Sequence, residues 1–299
     1  MQGVTITLDE LLALRYLANK VSLPQQRVST NSQQGNFQSA FRGRGMDFVE
    51  TRIYQPGDDI RTINWAVTAR TGKPHTKIYQ QERERPVYLI LDFNPSMFFG
   101  TRVAFKSIIA TQVATLIAWA SLKNGDRVGS LLIKDTFQVT LPCHRKHSLI
   151  ELLKYLVDFS KPHFKEKCDH VLAFKRLKKV IKSGSLIYFL SDFYSFDDAL
   201  KTELQQLAQK NEVNNIFIYD PLEKAAPNKG RYLFHNNVQP ESLLLNTHDL
   251  ASCDQYAEFF TERLSALKKF CFANRMQLTE LCTSDDFVKV TRQLLNRKL

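Results

Sequence analysis

The chain has 299 residues, 41 Lys and Arg against 30 Asp and Glu, and a formal net charge of +11. With 43% hydrophobic and 24% charged residues it has a globular composition, which excludes a disordered or fibrous chain. The length supports one large domain or two smaller ones, and the basic excess suits an acidic partner, nucleic acid or an anionic surface.

Leu8–Leu17 reads as an amphipathic first helix, with Thr7 as N-cap and Glu10 three residues later. Ser29–Gly35 is polar and loop-like. From Phe37 to Glu84 helical period is weak; Phe48–Tyr54 alternates like a strand and Pro56-Gly57-Asp58-Asp59 is a turn, which predicts a small β-rich unit. After Pro86 the pattern changes. Val87–Leu91, Arg127–Ile133, Leu186–Leu190 and Asn215–Tyr219 read as buried strands, with Phe137–Leu141 as an edge strand. Helices are expected over 101–123, 148–159, 170–182 and 197–210; a helix, a strand and a helix follow over 254–273, 277–281 and 284–296. This alternation predicts a doubly wound, mostly parallel α/β sheet over 86–299, with the first helix and the β-rich unit over 1–85.

The N-terminus has neither a basic n-region nor an apolar h-region, and the most apolar helix is interrupted by Lys106, Ser107, Gln112 and Ser121. No signal peptide or membrane span is therefore expected. The five cysteines are odd in number and lack Cys-x-x-Cys spacing, so a reducing, cytoplasmic setting is expected.

Sites of open α/β sheets gather beyond the carboxyl ends of the strands. Three strands here run into Asp92, Ser191-Asp192 and Asp220. Asp92, Asn94 and Ser96 can point from one loop, and Asp192 can join them from a neighbouring strand. Carboxylate, amide and hydroxyl oxygens suit Mg²⁺; helix capping is the alternative role for Asp92 and Asn94.

Asp92-x-Asn94-x-Ser96 followed by Asp192 resembles the metal-ion-dependent adhesion site of von Willebrand factor A domains. Asn94 stands where that pattern has Ser, and Lys167-Cys168-Asp169-His170 occupies the junction where a Thr is usual. Upstream, Gly43-Arg44-Gly45-Met46-Asp47-Phe48, Arg52-x-Tyr54-x-Pro56-Gly57-Asp58-Asp59-x-Arg61-x-Ile63-Asn64-Trp65 and Ala69-Arg70, with Lys77 and Glu82-Arg83, resemble the bacterial "domain of unknown function 58" family over roughly Phe37–Leu299. That resemblance implies a von Willebrand factor A-like, Rossmann-type fold with a small β-rich N-terminal unit. It further implies association with MoxR-type AAA+ ATPases in chaperone-like assembly or regulation. In an intact site of this kind Asp92, Asn94 and Ser96 would hold Mg²⁺, Asp192 would act through water, and a partner's acid would complete the shell.

Arg52, Asp58, Asp59, Arg61, Trp65 and Arg70 combine both charges with an aromatic. They form either an internal ion network or a partner-docking surface anchored on Trp and Arg. Between His144 and Lys182 stand 11 Lys and Arg against four acids, suiting a solvated helix face or an acidic protein surface; no nucleic-acid motif accompanies them. His144, His147, His163 and His170, with Cys143 and Cys168, match no structural zinc spacing. P-loop, dinucleotide and Gly-x-Ser-x-Gly signatures are absent. The sequence thus favours a non-enzymatic interaction module. The rival is a divalent-metal nuclease or nucleic-acid-binding protein, using Asp92, Asp192 and Asp220 and the basic surface.

Overall fold

The computed structural model describes residues 3–18, 46–81, 85–162, 169–227, 230–236 and 239–296. Ser29–Gly35, Gly43-Arg44-Gly45, Glu82-Arg83, His163, Lys165, Lys167 and Cys168 lie outside the described residues. In chain order the elements are α1 (Leu8–Ala18), β1 (Met46–Ile53), α2 (Trp65–Thr71), β2 (His75–Gln81), β3 (Pro86–Asp92), α3 (Lys106–Lys123), β4 (Arg127–Ile133), β5 (Phe137–Cys143), α4 (Lys146–Phe159) and α5 (His170–Val180). There follow β6 (Leu186–Ser191), α6 (Asp198–Ala208), β7 (Glu212–Tyr219), α7 (Pro221–Lys224), β8 (Arg231–Asn236), β9 (Gln239–Asn246), α8 (Leu250–Ala273), β10 (Gln277–Cys282) and α9 (Phe287–Asn296). The chain divides into two compact units, Gln26–Glu84 and the remainder.

In the larger unit six strands form one sheet in the order β10-β7-β6-β3-β4-β5, all parallel except the β5 edge. This is the expected mostly parallel α/β sheet. The apolar runs at its centre are buried on both faces, so their side chains sort by alternation. Val87, Leu89 and Leu91 share a core with α1, α3, α4 and α9 residues, whereas Tyr88 and Ile90 share the opposite core with α5, α6 and α8.

Helix α3 buries nearly its whole circumference between the sheet and α1, α4 and α9, which is why it reads as apolar all round. The first helix, grouped by sequence with the β-rich segment, packs on α3. Trp119 Nε1 donates to the Leu11 carbonyl at 3.3 Å, and Thr7 and Glu10 form the expected capping box. An antiparallel β8–β9 ribbon, not foreseen from sequence, precedes α8.

The smaller unit pairs β1 with β2 antiparallel and carries α2 between them. Asn64 caps α2 at its start, and Gly72, at φ 69°, supplies the left-handed residue that ends it.

Among the described residues the basic segment does not form one patch. Leu149, Leu152, Leu153 and Leu156 of α4 pack on one face of the sheet, and Ala173, Phe174 and Leu177 of α5 pack on the other. Its charges are therefore divided between the two faces.

Candidate functional site at the strand ends

The chain order reverses between β3 and β6, so the crevice at their carboxyl ends is the switch point of the sheet. Asp92 and Asp192 both lie there, nearly fully buried. Their register keeps them apart. Val87 pairs with Leu186, an offset of 99 residues (186 − 87), and Leu91 with Leu190. Asp92 is thus level with Ser191, and a one-residue displacement sends a side chain to the opposite face.

Asp92 lies on the α5 face. Its Oδ2 accepts from Ser191 Oγ at 2.9 Å and from Asn94 Nδ2 at 3.0 Å. Its Oδ1 accepts from the Asn94 backbone at 3.1 Å and lies 3.3 Å from His170 Nε2. Asn94 therefore presents an amide donor to Asp92. Asp169, at the junction where the adhesion-site pattern has a Thr, caps α5 by accepting from Leu172 N at 3.0 Å.

Asp192 turns to the α3 face. Its Oδ2 accepts from Lys106 Nζ at 2.7 Å and its Oδ1 from Tyr194 N at 3.1 Å. The same ammonium donates to Glu223 Oε1 at 2.7 Å. The Lys106 and Asp192 side chains are wholly buried, and that of Glu223 is 20% exposed. Burial pulls the Lys106 ammonium down and pushes the Asp192 carboxyl up. Their mutual attraction wins in both cases, helped by Glu223 at Lys106 and by Ser96 and the Tyr194 N–H at Asp192, so Lys106 is raised and Asp192 lowered. Ser96 lies close enough to Asp192 to help hold it ionised, but its buried hydroxyl completes no hydrogen bond of full geometry.

The network continues to Asp220, also buried, which accepts from Thr101 N (3.0 Å), Thr101 Oγ1 (2.6 Å), Thr283 Oγ1 (2.8 Å) and Leu222 N (3.0 Å). Glu223 Oε2 returns to the Asp220 N–H at 2.9 Å, closing a capping box on α7. Burial pushes the Asp220 carboxyl up, but these donors outweigh it and lower it. Phe193 turns the backbone beside Asp192 at φ 52°, a conformation costly for a non-glycine residue, and its N–H donates to Ser191 Oγ at 2.9 Å.

A Mg²⁺ held by Asp92, Asn94, Ser96 and Asp192 does not fit this arrangement. The two aspartates serve different faces, Asp92 is taken up by Ser191 and Asn94, and an ammonium already neutralises Asp192. Lys106 and Glu223 escaped the sequence reading. The available signal was a lysine in the first turn of an apolar helix. The helix dipole disfavours a cation there, so a buried one requires nearby acids.

In the smaller unit Arg52 Nη2 bridges Asp58 Oδ1 at 2.7 Å, and Asp58 Oδ2 accepts from Gln55 N at 3.0 Å. Asp59 caps the following turn through Arg61 N at 3.0 Å. These acids serve the fold of the turn. Arg61, Trp65 and Arg70 are exposed, Trp65 at 68%, as are Ile53 and Ile60.

The sheet order, the antiparallel edge strand and the polar cluster at the switch point define a doubly wound, mostly parallel α/β module. The profile described as "Protein of unknown function DUF58" matches residues 50–264, and the chain belongs to that family. It is 29% identical over 190 residues to "Uncharacterized protein Rv1480" of Mycobacterium tuberculosis, covering 63% of this chain and 59% of that protein. The chain thus spans less than two thirds of the curated relatives it matches.

Among solved structures it is similar to "von Willebrand factor type A from Catenulispora acidiphila", at 10% identity, 74% and 44% coverage of the two chains and TM-score 0.41. It is also similar to an "aerotolerance-related membrane protein from Bacteroides fragilis", at 15% identity, 71% and 98% coverage and TM-score 0.44. The cytoplasmic expectation is corrected by that second likeness, to a protein described as a membrane protein. No helix among the described residues is long and apolar enough to cross a membrane, which by itself assigns no compartment.

Proposed function

We propose that the chain is a non-enzymatic protein-interaction module that works with a MoxR-type AAA+ ATPase in chaperone-like assembly or regulation. The observation that carries this reading is the exposed set of Trp65, Ile60, Arg61 and Arg70 beside a turn whose acids are consumed internally. Tryptophan and arginine are the side chains that most often anchor interfaces, and here the fold leaves them outward. The partner surface that suits them is apolar at its centre and acidic at its rim. Lys175, Arg176 and Lys179 on α5, around exposed Leu172, offer a second, weaker attraction for an acidic surface.

The nuclease rival gains no support. Two-metal cleavage needs carboxylates free to converge on shared ions. Asp92, Asp192 and Asp220 are each occupied by a separate set of protein donors.

Isothermal titration of the chain with the purified MoxR-type ATPase tests the reading. Saturable binding, weakened at least about tenfold by Trp65→Ala or Arg61→Glu, is expected. Absence of binding, or variants that bind like the parent, would overturn it.

A further inference from the structure

We propose that the ammonium of Lys106 is the resident cation of the strand-end site and takes the Asp192 carboxylate that an adhesion-type site would give to a divalent metal. Lys106 opens α3 at the switch point, and its Nζ lies 2.7 Å from both Asp192 and Glu223. No part of the residue reaches solvent. A cation on the first turn of a helix meets the positive end of the dipole, and the two facing carboxylates offset that cost.

Those carboxylates are themselves fixed. Asp192 takes the Tyr194 N–H, and Glu223 takes the N–H of Asp220, which in turn grips Thr101 in the loop leading to α3. A Cβ on Gly100 would collide with the Ala104 carbonyl oxygen, so that loop is tightly folded. A divalent ion bound to Asp192 here would have to displace the buried ammonium that already neutralises it.

Two consequences follow. The site needs no metal to hold its loops together. A partner's carboxylate cannot reach the cation, so docking to this module is metal-independent and does not pass through Asp192.

The test compares the parent chain with Lys106→Ala and Lys106→Met, using thermal unfolding and calorimetric titration with Mg²⁺ and Mn²⁺ alone. The parent is expected to show no heat of binding and no shift in Tm with either ion or with chelator. Lys106→Ala is expected to lose roughly 10 °C and to regain several degrees with millimolar Mn²⁺, because two unpaired carboxylates then face a vacated space. Lys106→Met, which fills that space without charge, is expected to be destabilised and to gain nothing from metal.

Saturable binding of either ion to the parent would overturn the proposal. So would a folded Lys106→Ala that metal does not stabilise, or a Lys106→Met as stable as the parent. If Lys106→Ala does not fold, the parent titration and Lys106→Met still decide.

Discussion

The strand-end cluster and the motif of the smaller unit use the same residue types to opposite ends. At the strand ends, Asp92, Asp192, Asp220 and Lys106 are buried and every charge faces a partner. In the Arg52–Arg70 motif, Asp58 and Asp59 stitch their own turn while Trp65, Arg61 and Arg70 face solvent. In a buried cluster, removing one partner strands the others in a medium that solvates them poorly. On an exposed surface the same deletion costs the fold little and the interface much. Burial decides which charges are structural and which are available to a partner.

The sharpest way to break this contrast is Asp192→Asn. It keeps the shape but leaves buried Lys106 with Glu223 as its one remaining carboxylate. A loss of about 3–5 kcal/mol in urea unfolding is expected. The pH profile carries the same signature. Asp192 and Asp220 are lowered from 3.8 in the folded protein, so their contribution is complete above the unfolded value. It disappears as pH falls through that value toward the folded ones. The parent should lose stability steeply below about pH 4, and Asp192→Asn less steeply. Equal slopes would show that Lys106 does not hold Asp192 ionised.

Asp220→Ala comes next. It removes the cap of α7 and frees Thr101 and Thr283, and a loss of about 2–4 kcal/mol is expected by the same measurement. Asp169→Ala removes one cap, on α5, and should cost about 1 kcal/mol. An Asp169 effect as large as that of Asp220 would mean that the junction holds more than a helix end.

The fold was more legible than the site because the two rest on patterns of different length. Val87–Leu91 and Leu186–Leu190 are long apolar runs, and their alternation with helices specifies the sheet. The seven-residue α2, capped by Asn64 and Gly72 in the structure, is too short to show period in the sequence. At the site, the strand-end acids were visible, but their company was not. Asp92 and Asp192 lie 100 residues apart in a pairing offset by 99, and that single residue decides that they serve different faces. Register of this kind is a tertiary property. Lys106 stood in plain view as an interruption of an apolar helix, but its acids come from Asp192 and Glu223, far along the chain.

The smallest effects on folding belong to the exposed motif, and there the contrast can be sharpened most. Arg52 is 41% exposed in its bridge to Asp58, so Arg52→Ala should cost less than about 1 kcal/mol. Trp65 is 68% exposed, and Trp65→Ala should change stability by no more than about 0.5 kcal/mol. If Trp65 anchors a partner, the same substitution should still weaken ATPase binding by at least about tenfold, an effect of 1.4 kcal/mol or more. Thermal unfolding and titration on one preparation give both numbers. A variant that loses stability and binding together would place Trp65 with the buried cluster, as a support of the fold. A variant that keeps both would leave its exposure without a role. Loss of binding at intact stability is the outcome that separates the two regions.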